Sequence, residues 1–398
     1  MRKFSGLLIA VAALVLAMPP LMAQESDGHP IYFYPPIHLS NLPQNPATPV
    51  GILPSQFKAA YGFNQIPNQG QGQTIAVIDA YDDPNIALDL AVYQAQFHLG
   101  PCNFRKVTVG NPQHGSWDLE TSLDVEQVCA LAPRANILLV EAESQSASDL
   151  LAAVQAAYSS PNNATVVSMS FGSPDFSGEQ QYDSYFCNIL NGNGQPVTFV
   201  ASSGDAGHHP EYPATSPCVL AAGGTTLALS QVTPLANPFQ LDYGSEIGWS
   251  GSGGGVSTGE GQPSWQNPAC AAWSTSNRCV PDVASVAQNI PVYCSCGGSG
   301  EWATVDGTSI SSPDWAAFFT IVNSLRANQG KGPLSQAAYD VYQVYYSGGY
   351  GNNFHDITTG SNGNCGSQCN AGPAYDLVTG MGTYRANTLV NSLVADPN

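Results

Sequence analysis

The chain has 398 residues, enough for one large domain or two ordinary ones, and 43% of them are apolar, so a sizeable core is within reach. Only 10% are charged, and 10 basic against 29 acidic residues leave a net charge of −19. Such a surface repels phosphate and argues against nucleic acid or an anionic membrane as a partner. Acidic charge also suits work at low pH, where carboxylates take up protons and self-repulsion falls, though it serves plain solubility equally well.

Arg2 and Lys3 precede an apolar run from Gly6 to Met18, and Leu21-Met22-Ala23 offers a small residue for cleavage. Residues 1–23 therefore read as a secretory signal peptide, and the mature protein is expected outside the cell. The run is short for a membrane span, and no later stretch is long and apolar enough to be one. Residues 24–47 are polar and Pro-rich, a leader or an extended arm without a core. From Thr48 onward the composition is uniform, with no linker and no repeat, so one domain over residues 48–396 is expected.

Within it, apolar runs alternate with helical patterns. Strands are predicted at Thr74–Tyr81, Ile137–Ala142, Ala164–Phe171 and Pro196–Ser202. Helices are predicted near Pro84–Leu99, Trp117–Ala130, Ala147–Tyr158 and Glu179–Leu190, with a last strong one after Ser309. This alternation gives an α/β class with a mainly parallel sheet covered by helices on both faces, whose sites form at the carboxyl ends of the strands. The cysteines number 10, an even count that in an exported chain suggests disulfides. Cys270/Cys279 and Cys365/Cys369 are local candidate pairs, Cys102/Cys129 and Cys187/Cys218 longer ones, and Cys294/Cys296 stays open because of its tight spacing. Repeated zinc-ligand spacing is lacking.

Three segments carry chemistry. Gly307-Thr308-Ser309 runs into a helix with Pro313 in its first turn, which puts Ser309 where free N–H groups favour developing negative charge. An ordinary N-cap serine reads the same way. In the helix around Asp118–Glu126, Glu120 and Asp124 stand four apart on a face continued by Val128 and Leu131. Two carboxyls on an apolar stripe share protons unequally, which suits acid–base work, although an exposed acidic helix start is a competing account. Asp205, in Ser202-Ser203-Gly204-Asp205-Ala206-Gly207, follows a strand directly and lies either at the functional edge or in a self-satisfied turn.

Together, in this order and spacing, the three resemble the sedolisins, serine-carboxyl peptidases on a subtilisin-like fold. The Ser309 motif fits the family's G-T-S-x-x-x-P, the Glu120 helix its Glu-x-x-x-Asp, and the Asp205 loop its third acidic segment. Ser168–Gly172, Tyr212-Pro213-Ala214, Gly223-Gly224-Thr225 and Trp249-Ser250-Gly251 agree as well, so the likeness runs from about Thr48 to Thr383. The resemblance implies polypeptide substrates, Ser309 as nucleophile, Glu120 as general base, Asp124 orienting Glu120, and a protonated Asp205 at the oxyanion.

It also implies one structural Ca²⁺, held by the side chains of Asp356 and Asp376 and the carbonyls of Ile357, Gly372 and Ala374, a hard oxygen set. The family often has Gly at the position of Ala374, which matters only if the backbone there needs positive φ. A large prodomain is usual in the family, whereas here residues 24–47 are too few for one, so the chain folds unaided or with a helper in trans. Asp306 stands where the family has a small residue, and a monomer is expected. Two rivals stand beside this: a subtilisin-type triad of Asp79, His114 and Ser309, and an inactive secreted binding protein on the same fold.

Overall fold

The computed structural model describes residues 30–231 and 241–397. The segment 1–23 read as a signal peptide lies outside the described residues. Among those described, no helix is long and apolar enough to cross a membrane.

A 10-stranded sheet organises the chain. Numbering the elements used below in chain order, a short β1 (His38–Leu39) lies outside the main sheet, and β2 (Thr74–Ala80) sits inside it. Then come α1 (Ile86–Phe97), β3 (Asn103–Val109), α2 (Asp118–Leu131), β4 (Asn136–Ala142), α3 (Ala147–Tyr158) and β5 (Val166–Met169). Strands β6 (Thr198–Ser202), β7 (Leu220–Gln231), β8 (Leu241–Gly248) and β9 (Val283–Val286) continue the sheet. From β9 to β3 its order is β9-β7-β6-β5-β2-β4-β3, all parallel, and β8 folds back antiparallel on β7. A separate hairpin, β10 (Ile290–Cys294) and β11 (Glu301–Asp306), precedes α4 (Ser311–Asn328).

Strand periodicity decides what each face carries. Along β2, Ile75 and Val77 join the core shared with α2 and α4, whereas Ala76, Ile78 and Ala80 join the core under α3. Asp79 continues the Ile75/Val77 series onto the α2/α4 side. In the same way Val166 and Ser168 face α4, and Ser168 Oγ lies 2.9 Å from Ser312 Oγ. Trp315 pins α4 to the sheet by donating Nε1–H to the Ala284 carbonyl at 2.9 Å. Helix α2 is buried along nearly its whole length, not on one stripe.

The segment expected as a helix near Glu179–Leu190 is a 3₁₀ helix over Glu179–Tyr185, and Cys187 just beyond it pairs with Cys218. The other pairs are Cys102–Cys129, which ties β3 to the end of α2, Cys270–Cys279, Cys365–Cys369 and the tightly spaced Cys294–Cys296. The Pro-rich arm does reach a core: Ile31 and Phe33 are buried, and Phe33 stacks on Phe171 with centroids 5.5 Å apart.

Candidate active site

All the chemistry-bearing groups gather at the carboxyl ends of β2, β5 and β6, on the face covered by α2 and α4. Beside the central strands the chain order reverses, which opens a crevice in open α/β sheets. Asp79 lies at the end of β2, Ser170 just past β5, Asp205 just past β6, Glu120 and Asp124 on α2, and Ser309 immediately before α4.

Ser309 is fully buried, and among the described residues its Oγ has no hydrogen-bond partner. Both Glu120 carboxyl oxygens are likewise buried and unbonded. The two groups are close enough that the Ser309 hydroxyl favours the ionised form of Glu120, yet no hydrogen bond of normal length joins them. Asp124 is held by one bond, from Ser170 Oγ to Oδ1 at 2.8 Å, and its Oδ2 is free. Asp205, with its side chain 6% exposed, accepts from Thr308 N–H at 2.8 Å and Thr308 Oγ1 at 2.9 Å through Oδ1. The backbone of Thr308 thus locks Asp205 beside the Ser309 turn. The four residues singled out in the sequence meet in one place.

Burial, and next the charge of Asp79, pushes the Glu120 titration well above the usual carboxyl range. Asp124 is raised by burial and then by Glu120. Asp79, with both oxygens unbonded, is raised by burial and then by Asp124, Glu141 and Asp83. Buried acids packed this densely hold protons in common and titrate as a group. Asp205 is also raised, by burial, against the opposing pull of His38 and Thr308.

In the sequence, Asp79 stands out only as a member of the rival histidine triad. That triad is not assembled: the His114 side chain is 58% exposed and lies 2.8 Å from Asp118 Oδ2, with neither Asp79 nor Ser309 among its partners. Asp306 stands outside the acid group and braces a loop, its Oδ1 accepting from Asn289 N–H at 2.8 Å and its Oδ2 from Gln288 Nε2 at 3.1 Å. In the sequence Ser170 is only a residue flanking the three segments; the strand end aims its hydroxyl at Asp124, and no spacing signal marks it.

At the far end of the chain, Asp356 and Asp376 share one loop. Asp376 accepts from Val378, Thr379 and Gly372 N–H groups, and Asp356 accepts from Ala374 N–H at 3.0 and 3.2 Å. Burial lifts Asp376 to about 6. Ala374 has φ +65°, so the left-handed backbone that glycine would adopt freely is imposed here on alanine.

A family model described as the Subtilase family matches residues 109–345. Kumamolisin from Bacillus sp. (strain MN-32) is 31% identical over 378 residues, covering 87% of this chain and 64% of that protein. Physarolisin from Physarum polycephalum is 31% identical over 341 residues, covering 69% of this chain and 57% of that protein. The solved structure of Pseudomonas sedolisin, a serine-carboxyl proteinase complexed with two molecules of pseudo-iodotyrostatin, matches with TM-score 0.71 and 25% identity over 86% of this chain and 98% of that one. The chain belongs to the Subtilase family, in its sedolisin branch. It spans less than two thirds of the length of the two curated relatives named, 64% and 57%.

Proposed function

We propose that the chain is an acid-active, secreted serine-carboxyl endopeptidase. The observation that carries this reading is the pairing of a buried, unbonded Ser309 hydroxyl with a buried, unbonded Glu120 carboxyl at the carboxyl edge of the sheet. A buried serine and a buried acid left without partners are costly to keep for structure alone.

Ser309 Oγ attacks the carbonyl carbon of the scissile peptide while Glu120 takes its proton, and an acyl-enzyme forms as the amine leaves with that proton. Water then attacks the ester, again through Glu120, and the acid product departs. Asp124, steered by Ser170, orients Glu120 and shares its proton. Asp205 in its neutral form donates to the oxyanion, alongside the Ser309 N–H at the start of α4. Ionised, Asp205 would repel that charge. Because Glu120, Asp124 and Asp79 share protons as a group, the base works from the fraction of that group in which Glu120 is ionised while Asp205 keeps its proton, and ionisation of Asp205 ends the reaction on the high-pH side. Hydrolysis of a denatured protein by wild type and Ser309→Ala across the pH range tests the reading. Equal activity of the two would sink it.

The Asp356/Asp376 loop fits one Ca²⁺. Its donors are hard oxygens, and the carbonyls of Ile357, Gly372 and Ala374 accept no hydrogen bond from the described residues, although Ile357 is buried. A cation bound there would hold the loop to the fold and take no part in peptide hydrolysis. Export through residues 1–23 belongs to the same proposal, since an acid-active peptidase with every described cysteine paired suits an oxidising exterior.

A further inference from the structure

A second cleft lies away from the catalytic group, at the opposite end of the sheet from β3. There the two-residue strands Phe354–His355 and Thr383–Tyr384 pair antiparallel, and Thr383–Tyr384 runs parallel to β9. The helix Pro54–Tyr61 and the start of β8 close the other walls, and the cavity measures about 490 Å³. That is room for a small organic molecule, more than a single ion needs. Most polar groups of its wall are already engaged. Asn387 Nδ2 donates to Gln65 Oε1 at 2.8 Å, and Thr388 Oγ1 donates to the Asn352 carbonyl. Asp242, the only acid in the wall among the described residues, turns Oδ1 to the Tyr243 N–H at 2.9 Å. Two groups are left over. The Arg385 guanidinium uses Nε on the Phe354 carbonyl at 3.2 Å, and its Nη nitrogens bond to no described residue. His355 is 7% exposed, yet its ring nitrogens have no hydrogen-bond partner among the described residues and are open to the cleft. Tyr243 holds that ring in place, stacked on it with centroids 3.7 Å apart and planes 12° from parallel.

A buried imidazole without a partner is unfavourable unless a bound group completes it. The chain has 10 basic residues against 29 acidic ones, and still Arg385 forms an ion pair with no described carboxylate. A guanidinium fork takes two oxygens of a carboxylate or a phosphate. An imidazole carries at least one N–H in either protonation state and supplies a further donor. We propose that this cleft binds a small organic oxyanion, its carboxylate or phosphate group held by the Arg385 guanidinium and the His355 ring and its apolar body lying against Ala59 and Ala60. An ammonium or a neutral polyol would leave the guanidinium unpaired. The net charge of −19 opposes anions at long range, but salt screens it beyond about 8 Å, so the local donors decide. None of these residues belongs to the catalytic group, and the site stands independently of the peptidase reading.

The test is calorimetric titration of the full chain at about pH 6 with phenyl phosphate, with benzoate and, as the neutral control, with benzyl alcohol; both acids are ionised there. At least one of the two acids should bind with a Kd of about 1 mM or tighter, and the alcohol should not bind. The tighter acid tells whether the site takes a phosphate or a carboxylate. Arg385→Met should weaken that binding by about 10- to 100-fold, as expected for losing hydrogen bonds to a charged group. His355→Phe keeps a ring to stack on Tyr243 but removes the nitrogens, and should weaken it by about 3- to 10-fold. Melting curves of the two variants without ligand check that each is folded. Failure of both acids to bind at about 10 mM, or binding that is equal in wild type and both variants, would overturn the proposal.

Discussion

The Ser170 hydroxyl donates to Asp124 Oδ1 at 2.8 Å and is the only hydrogen-bond partner of that carboxyl among the described residues. It favours the ionised form of Asp124, against burial and the neighbouring Glu120. Removing it by Ser170→Ala should raise the Asp124 titration further and loosen its hold on Glu120. A fall in kcat of about 10- to 100-fold is expected, the range for losing a hydrogen bond to a charged group. The pH profile should move with it, which simple loss of packing would not do. Unchanged kcat and profile would separate Ser170 from the catalytic group.

Ser309→Ala, Glu120→Gln and Asp124→Asn should each lower kcat by about 1,000-fold or more without unfolding the chain. Glu120→Gln should also raise the melting temperature at pH 7, by about 2 °C or more, because it replaces a buried acid that neutral pH tries to ionise. A melting point lowered at pH 7 would show that ionised Glu120 is stabilised by its surroundings, contrary to the direction of its shift.

Stability should be greatest in acid. Asp83 is lifted to about 6, Glu141 to about 7 and Glu211 to about 8, each mainly by burial. Between the ordinary carboxyl value near 4 and these raised values, the folded chain binds protons that the unfolded chain has released. Unfolding free energy therefore falls as pH rises through that window and is preserved below it. Urea denaturation in chelator at about pH 4 and about pH 7.5 checks the sign. A more stable protein at the higher pH would contradict it.

Calcium should stabilise without catalysing. At a free concentration about 100 times its dissociation constant it adds ~2.7 kcal/mol, so chelator or Asp356→Ala should lower the melting temperature by roughly 5 °C. Ala374→Gly should do the reverse in either state, relieving φ +65° at a gain of roughly 1 kcal/mol. A metal-free purified protein whose melting curve ignores chelator would remove the site.

Much of this was legible in the residues. Thr74–Ala80 and Val166–Met169 are nearly continuous apolar runs because parallel strands are covered on both faces. Glu120 and Asp124 could be paired because helical spacing alone puts them on one side. The edge strand Asn103–Val109 carries no strand signal, since Arg105 and Lys106 break its apolar pattern where only one edge is paired. Glu179–Tyr185 looked helical but carries few apolar positions, and only a 3₁₀ turn forms. The seating of the arm was invisible for a different reason. It rests on backbone bonds from Phe33, Tyr34 and Pro36, which no side-chain pattern records.

In the proposed mechanism carboxyls, and no imidazole, run the chemistry at Ser309. The dependence of kcat/KM on pH for a short peptide substrate, from about pH 2.5 to about pH 8, tests it most directly. A maximum below about pH 5 and collapse toward neutrality are expected, as Asp205 ionises and ceases to donate. A rate that instead rises through a titration near 6.5 and peaks at neutral pH would contradict it and assign the base to a histidine.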